Sequence, residues 1–217
     1  MTITRIERQK NNPRRANIFL DDEFAFGIHT ELLVRLGLRA GDALTPERVR
    51  EIERTEEEYL ASQIALRYIR RRVRSEKEVR SRLRNADVAP PVIDRVIRKL
   101  AESGLLDDRI FARALVHDLQ LRAPMGIRLL RQRLRVKGVP DPVIEELLAE
   151  QASADDQMRS GIEVAKKYLR KVSRGRKPLS PPQRMHKTGK YLGQRGFEWS
   201  IISSILHKLF PSSSTDQ

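Results

Sequence analysis

The sequence predicts a mainly α-helical protein made of three tandem three-helix repeats in an elongated array, with a small N-terminal appendage that contains a β-hairpin. The first reason is internal similarity, because residues 74–97 and 125–148 match without a gap at an offset of 51 residues. The matched positions include Arg80, Leu83, Val88, Pro91 and Ile93, which correspond to Arg131, Leu134, Val139, Pro142 and Ile144. A third, more divergent copy follows 58 residues later, where Leu192 corresponds to Leu134 and Gly196 to Gly138. Such periodicity is typical of stacked repeats, which offer an extended binding surface rather than a catalytic pocket.

The first 45 residues have a different pattern. Two β-prone runs, residues 15–20 and 23–28, are joined by Asp21 and Asp22 and predict a hairpin, and the alternation in residues 2–8 favours a further strand. Thr30 is the predicted N-cap of a short helix that ends at Gly37. Thr45 and Pro46 then open the first long helix.

Helix start and stop signals divide each repeat into three helices. In the first repeat an apolar stripe predicts a helix that runs to about Val73, and Ser75 and Glu78 form the capping-box pattern of the second helix. Pro91 is predicted to start the third helix and Gly104 to close it. In the second repeat, Gly138 ends the second helix, and Asp141 with Pro142 serve as cap and first residue of the third.

These signals predict five segments along the chain. Residues 1–55 form an α+β extension, 56–106, 107–152 and 153–210 form the three helical repeats, and 211–217 form a disordered tail. A long basic insertion near 170–182 distinguishes the third repeat.

Composition indicates a polyanionic partner. The formal net charge is +14, charged residues make up 33% and hydrophobic residues 39% of the chain, and there is no cysteine for a disulfide, thiolate or nucleophile. The sequence contains neither a signal-peptide core nor an apolar run of membrane-spanning length. We therefore expect a soluble cytoplasmic protein, a monomer without a membrane partner.

Basic residues cluster within the repeats and define the candidate binding face. Arg80 and Arg84, like Arg131 and Arg135, are i,i+4 neighbours whose mutual repulsion suggests that a partner offsets it. Such a face can follow a nucleic-acid backbone or an acidic protein groove; the competing interpretation is a solvated face with salt bridges to the acids of residues 51–58. The candidates are Arg67, Arg70, Arg71, Arg72, Arg74, Arg80, Arg84, Arg128, Arg131, Arg135, Lys137, Lys166, Lys167 and Arg170.

Several short motifs occur in a characteristic order along the repeats. They are Arg74-Ser75-Glu76, Gly104-Leu105-Leu106-Asp107-Asp108 with Phe111-Ala112, K-G-V at 137–139 and Y-L-x-x-R-G-F at 191–197. Through these motifs, residues 60–210 resemble the RecX family of bacterial regulators of the RecA recombinase. It implies three tandem three-helix repeats in a curved arrangement. It also implies a partner, the RecA filament on single- or double-stranded DNA, and a role in recombination, DNA repair and the SOS response. Family members mostly inhibit RecA by limiting filament growth and lowering ATPase, strand-exchange and repressor-cleavage activities.

Several other features invite functional interpretations. Asp107 and Asp108 could bind a metal ion, although helix capping explains them better, and Gly189, Gly193 and Gly196 indicate helix termination and close packing rather than a nucleotide loop. The four histidines are dispersed. Trp199 is expected to pack onto a repeat interface, with base stacking as the alternative.

Two other classes of function compete with a regulatory binding protein. A winged-helix transcription factor could use residues 75–83 before a recognition helix, but a threefold repeat argues against a single reading head. A helical nuclease would need paired acids, and the sequence shows no catalytic constellation. We therefore expect no enzyme activity, no cofactor and no metal.

Overall fold

The computed structural model describes residues 1–150, 153–173 and 179–211. Within them the chain forms three strands followed by ten helices. The strands are β1 (Ile3–Gln9), β2 (Asn12–Leu20) and β3 (Glu23–His29). The helices are α1 (Thr30–Leu36), α2 (Pro46–Ile69), α3 (Glu76–Arg84), α4 (Pro90–Glu102), α5 (Asp108–Arg122), α6 (Ile127–Lys137), α7 (Asp141–Glu150), α8 (Ala154–Ser173), α9 (Pro181–Gln194) and α10 (Trp199–Leu209).

The described chain divides into two compact units. One contains Met1–Arg72 and Val79–Leu105, and the other contains Val73–Glu78 together with the described residues from Leu106 onward. Helix α3 therefore contributes its first turn to the second unit and the rest to the first.

The N-terminal strands form one antiparallel sheet in the order β1-β2-β3, which confirms the hairpin and the additional strand. Asp21 and Asp22 both have positive φ, 49° and 69°, as the tight turn between two twisted strands requires. The inner face of the sheet buries Ile18 and Ile28 against Leu32 of α1 and Ile52 of α2. The first half of α2 therefore belongs to the core of the sheet.

The first two helices begin and end largely at the expected residues. His29, not Thr30, caps α1, because its Nδ1 accepts a hydrogen bond from the backbone N–H of Glu31 at 3.3 Å. Gly37 ends α1 at φ 66°, and Thr45 caps α2 as predicted. Helix α2 then runs without a break to Ile69, four residues short of the predicted end near Val73, and so continues through the expected boundary at residues 55–56.

Three three-helix groups follow, in agreement with the predicted repeats. In the first, α2 packs against α4, and Val79 and Leu83 of α3 are buried. Helix α4 begins at Pro90, one residue before the predicted start. The second group is α5–α7 around Leu130, Leu134 and Ile144, and the third is α8–α10 around Phe197 and Ile205.

Some predictions remain untested. The elongated, curved arrangement and the boundaries of the five segments stay predictions. Residue 152, the middle of the basic insertion and all but the first residue of the expected disordered tail lie outside the described residues.

Equivalent contacts recur inside the second unit. The Ser75 hydroxyl accepts from the Glu78 backbone N–H at 3.2 Å, as the capping pattern predicts, and donates to the Lys137 carbonyl at 2.7 Å. Gly126, which corresponds to Ser75, donates its N–H to the carbonyl of Arg195, which corresponds to Lys137, at 2.9 Å. In both cases, the residue just before the second helix of one repeat forms a hydrogen bond with the end of the second helix of the next repeat. Arg195 strengthens its contact by donating to the carbonyls of Ala123 and Pro124, each at 2.6 Å.

Candidate basic binding site

Ion pairs within the chain neutralise several of the candidate arginines. Arg131 donates to both carboxylate oxygens of Glu145, at 2.8 and 2.9 Å, and Arg80 contacts Asp94 at 2.6 Å. These are the same pair in two repeats, because both members of the second lie 51 residues after those of the first. The hydrogen bonds from Arg131 lower the pKa of Glu145 below its usual range.

Arg135 is paired in the same way, with Asp141 at 2.7 Å. Acids on α7 therefore offset the i,i+4 repulsion between Arg131 and Arg135. The repulsion at this pair therefore gives no argument of its own for an external partner. Acids of residues 51–58 pair with other cations instead, as where Lys99 contacts Glu58 at 2.5 Å.

Two further candidates surround Glu78 in the second unit. Lys137 donates to Glu78 Oε1 at 2.9 Å, and Arg74 lies 3.8 Å from Glu78 Oε2 with only 12% of its side chain exposed. Lys137 thus helps to hold Val73–Glu78 against the end of α6, whereas the contact between Arg74 and Glu78 lies within that segment.

Three other arginines converge on one cavity in the first unit. Arg67 lies in the last turn of α2, Arg71 in the turn that follows, and Arg82 on α3. Together with Ile64 and Tyr68 they line a cavity of about 310 Å³, which we call the arginine pocket. All three guanidinium side chains are exposed, and none forms an ion pair with an acid of the described residues.

The arginine pocket is not a general feature of the repeat. The positions in the second repeat that correspond to Arg67, Arg71 and Arg82 hold Asp118, Arg122 and Arg133, so an acid replaces one of the three cations. In the third repeat the latter two positions hold Ser180 and Tyr191. A structural need of the three-helix fold would recur, and this cluster does not.

Sequence reasoning placed Arg67 and Arg71 among the candidates but omitted Arg82. Arg80 and Arg82 are two residues apart on α3, so they project from nearly opposite sides of the helix. Arg80 meets Asp94, and Arg82 faces the pocket. Comparison of the repeats could have distinguished the two arginines. Asp94 and Glu145 are both acids and lie 51 residues apart, as Arg80 and Arg131 do, so the acid–base pair recurs and marks Arg80 as structural.

The chemistry of the arginine pocket suits an oxyanion. Guanidinium groups donate forked hydrogen bonds that match phosphate and carboxylate oxygens. Three unpaired cations around one cavity repel one another, and a bound anion would relieve that repulsion.

The remaining candidates are exposed but lie elsewhere on their units. Arg70 and Arg72 lie in the turn after α2, and Arg84 ends α3 with its Nη2 3.3 Å from the Ser81 hydroxyl. In the second unit, Arg128 is exposed at the start of α6, and α8 exposes a further set of three, Lys166, Lys167 and Arg170.

The acidic pair interpreted as helix capping has that role. Asp107 caps α5 by accepting from the Arg109 N–H at 2.7 Å, and Asp108 accepts from the Glu76 N–H at the start of α3, at 2.9 Å. Burial raises the pKa of Asp108, although the hydrogen bond from Glu76 opposes this shift. Both carboxylates are accounted for by the fold.

Trp199 differs from the sequence interpretation. It was expected to pack, but 73% of it is exposed at the first position of α10. Phe197, two residues earlier, fills the core of the third repeat instead and is 1% exposed. Gly196 ends the α9 segment at φ 84°, and Gly189 lies close to Leu206, so the predicted roles of termination and packing are confirmed for these two glycines. Gly193 is not closely packed, because an added Cβ would meet only Ile202 Cδ1 at 3.9 Å.

Comparison with known proteins agrees with this architecture of small helical repeats. The profile of the regulatory protein RecX N-terminal domain matches residues 1–45, and those of the first, second and third RecX three-helix domains match residues 61–100, 107–148 and 160–206. The chain belongs to the RecX family of regulatory proteins.

Individual relatives cover most of the chain. The regulatory protein RecX of Bacillus licheniformis is 34% identical over 206 residues, which is 95% of this chain and 76% of that protein. RecX of Bacillus subtilis is 34% identical over 207 residues, with the same coverage. A crystal structure of regulatory protein RecX matches with a TM-score of 0.76 and 26% identity over 94% of this chain and 98% of that one. RecX from Lactobacillus salivarius matches with a TM-score of 0.64 and 25% identity, over 71% of this chain and 97% of that one.

Among the described residues, no helix combines the length and the apolar character that crossing a bilayer requires.

Proposed function

We propose that this protein is a regulatory binding protein that modulates, and mostly inhibits, the RecA recombinase by binding the RecA–DNA filament. Binding lowers ATP hydrolysis, strand exchange and repressor cleavage. Family membership and the resemblance support RecA as the partner. The observation that carries the binding mode is the arginine pocket, where Arg67, Arg71 and Arg82 are exposed without an acidic partner in the described chain.

Internal ion pairs reduce the set of candidate residues to those that are available to a partner. Arg80, Arg131, Arg135 and Lys137 each hold an acid of the same chain, so recruiting them would require breaking that pair. Arg67, Arg71 and Arg82 bring no such cost. We infer that they contact phosphates of the filament's DNA, with Arg70, Lys166, Lys167 and Arg170 as further exposed contacts.

The test is a triple variant in which Arg67, Arg71 and Arg82 become Glu. The measurement is single-strand-dependent ATP hydrolysis by the RecA of the same organism. We expect the concentration for half-inhibition to rise by at least about tenfold, the effect of losing about 1.4 kcal/mol of binding. Single-stranded DNA binding by the isolated protein should show a salt slope reduced by up to about 2, since each phosphate contact contributes about 0.7.

The matched control is the replacement of Arg39, Arg54 and Arg98 with Glu. These arginines are also exposed in the first unit, make no ion pair with acids of the described residues, and lie outside the pocket. The net charge changes by the same amount, so general electrostatic attraction is held constant. Equal inhibition by the two triple variants, both shown to be folded by circular dichroism, would contradict the assignment of DNA contacts to the arginine pocket.

The transcription-factor alternative gains nothing from these observations. Its N-terminal strands would have to serve as a wing, but they share their core with α1 and the first half of α2. A two-fold symmetric DNA site bound with high sequence preference would favour it over RecA regulation.

A further inference from the structure

The third repeat carries an open groove that shares no lining residue with the arginine pocket. Helices α9 and α10, together with Arg128 from the start of α6, enclose a volume of about 810 Å³. Its wall includes Ile202, Leu206 and Phe210, with Pro181 and Pro182 also lining it. All of these residues belong to the second unit.

Large apolar side chains in the groove are exposed to solvent. Trp199 is 73% exposed and Met185 is 45% exposed, and both line the groove. Exposed aromatic and methionine side chains around a concave apolar surface are typical of protein-binding sites. The fold does not need Trp199 in its core, since Phe197 occupies that place.

Two glycines on α9 line the groove, and one of them leaves space in it. Gly189 and Gly193 are four residues apart and therefore lie on one side of the helix. At Gly189 an added Cβ would lie 3.2 Å from Leu206 Cδ1, so packing with α10 explains this glycine. At Gly193 the nearest atom would be Ile202 Cδ1 at 3.9 Å, an ordinary contact. Packing thus permits a side chain at position 193, and its absence leaves free space in the groove.

The charge around the groove has one sign. Arg128, His186 and Lys190 line it, and none of the described lining residues is Asp or Glu. An occupant must therefore combine apolar side chains for the wall with negative charge for the rim. The neighbouring residues 212–217, Ser-Ser-Ser-Thr-Asp-Gln, contain no large apolar side chain and do not fit this description.

We propose that this third-repeat groove binds an amphipathic acidic helix of a protein partner. The partner's apolar side chains at i, i+3, i+4 and i+7 pack on Trp199, Met185 and Leu206, and its flanking carboxylates meet Arg128 and Lys190. A nucleic acid fits less well, because it offers phosphates to a surface that is mainly apolar. The proposal goes beyond RecA inhibition through the arginine pocket and does not depend on it.

Trp199 is the single tryptophan of the chain, so its fluorescence reports directly on the groove. The full-length protein is titrated with a synthetic acidic peptide of about four helical turns, with Leu and Phe on one face and Glu on the others. A second peptide has Lys in place of every Glu, and oligothymidylate is the nucleic-acid probe. We expect only the acidic peptide to shift Trp199 emission to shorter wavelength and to saturate.

Charge-reversal variants test the rim. Lys190→Glu, at the groove, should weaken binding of the acidic peptide by about tenfold, equivalent to about 1.4 kcal/mol. Lys187→Glu, one turn away on α9 and outside the groove, should leave it unchanged. The arginine-pocket triple variant should bind the peptide normally, which separates this test from that of RecA inhibition.

Each other outcome overturns the proposal. Saturation by oligothymidylate alone would make the groove a base-stacking site. Equal binding of the acidic and basic peptides would remove the role of the rim. A Trp199 spectrum that changes with protein concentration, with dimer formation in sedimentation, would assign the groove to a second copy of the chain. No response of Trp199 to either peptide would reject a helix-binding groove.

Discussion

A single arginine takes one of two roles in this protein according to whether an acid lies in reach on the neighbouring helix. Arg80 and Arg131 each find a carboxylate 14 residues further along, Asp94 and Glu145. Arg82, two positions from Arg80, projects to another side of α3 and finds none among the described acids. Local charge density therefore misleads, because the same basic stretch contains both fold-stabilising and available cations.

Asp108 is the residue for which pH gives a clear prediction. Burial raises the pKa of its carboxyl in the folded protein, so the folded state holds the proton more tightly than the unfolded chain. Stability contributed by Asp108 therefore falls as pH rises from the unfolded pKa, about 4, through the raised folded pKa. Asp108→Asn keeps an acceptor for the Glu76 N–H without the buried charge. It should be more stable than the unsubstituted protein at pH 7 and lose this advantage towards acid pH in urea unfolding.

Asp108→Ala is the companion variant. It leaves the Glu76 N–H at the start of α3 without its acceptor, which should cost about 1 kcal/mol relative to Asp108→Asn at every pH. If Asn were less stable than Asp at pH 7 while Ala matched it, neither the capping bond nor the buried charge would have its assigned effect.

At the scale of the element, α9 contains two glycines, Gly189 and Gly193, and close packing explains only Gly189. A glycine inside a helix costs about 1 kcal/mol relative to alanine. Gly193→Ala should recover about 0.5–1 kcal/mol and raise the melting temperature by about 2 °C, because the new Cβ makes only an ordinary contact with Ile202. Gly189→Ala should give no gain or a loss, since Leu206 must move to admit the Cβ. Calorimetry of both variants checks this, and a larger gain at position 189 than at 193 would contradict the packing described for α9 and α10.

Element boundaries were predictable where a local signal determines them. Thr45 with Pro46, Gly37 and Gly138 act at the predicted ends of their helices, because a cap or a left-handed residue needs only its own turn. The similarity between repeats, at offsets of 51 and 58 residues, also predicted the three-helix groups.

What the sequence did not reveal depends on side chains from distant segments. Helix α2 stops before Val73 because Val73–Glu78 fold against the end of α6, held by Ser75 and the Lys137 carbonyl 62 residues away. The arginine pocket requires the spacing between α2 and α3, and the exposure of Trp199 requires that Phe197 fill the core. None of these distances is encoded in a local pattern.

For the molecule as a whole, the second and third repeats have separate cores, which implies that the third can be removed without opening the core of the second. The core of the second repeat, around Leu130 and Ile144, contains no residue of α8–α10. Its ties to the third repeat include the backbone bond from Gly126 to Arg195 and the two bonds from the Arg195 guanidinium, groups that water can satisfy after truncation.

A truncation after Ala152 should therefore stay folded but lose most inhibition of RecA. It keeps Arg67, Arg71 and Arg82 and so retains residual affinity for single-stranded DNA, but it lacks the α8 cations and the third-repeat groove. Linked repeats gain from effective concentration, so a full chain spanning neighbouring filament subunits should act below the RecA concentration, and the shorter chain should need about 100-fold more. The measurement is RecA ATP hydrolysis against inhibitor concentration, with circular dichroism to verify folding. If the folded truncated chain inhibited as well as the whole protein, cooperation among the repeats would be the wrong mechanism.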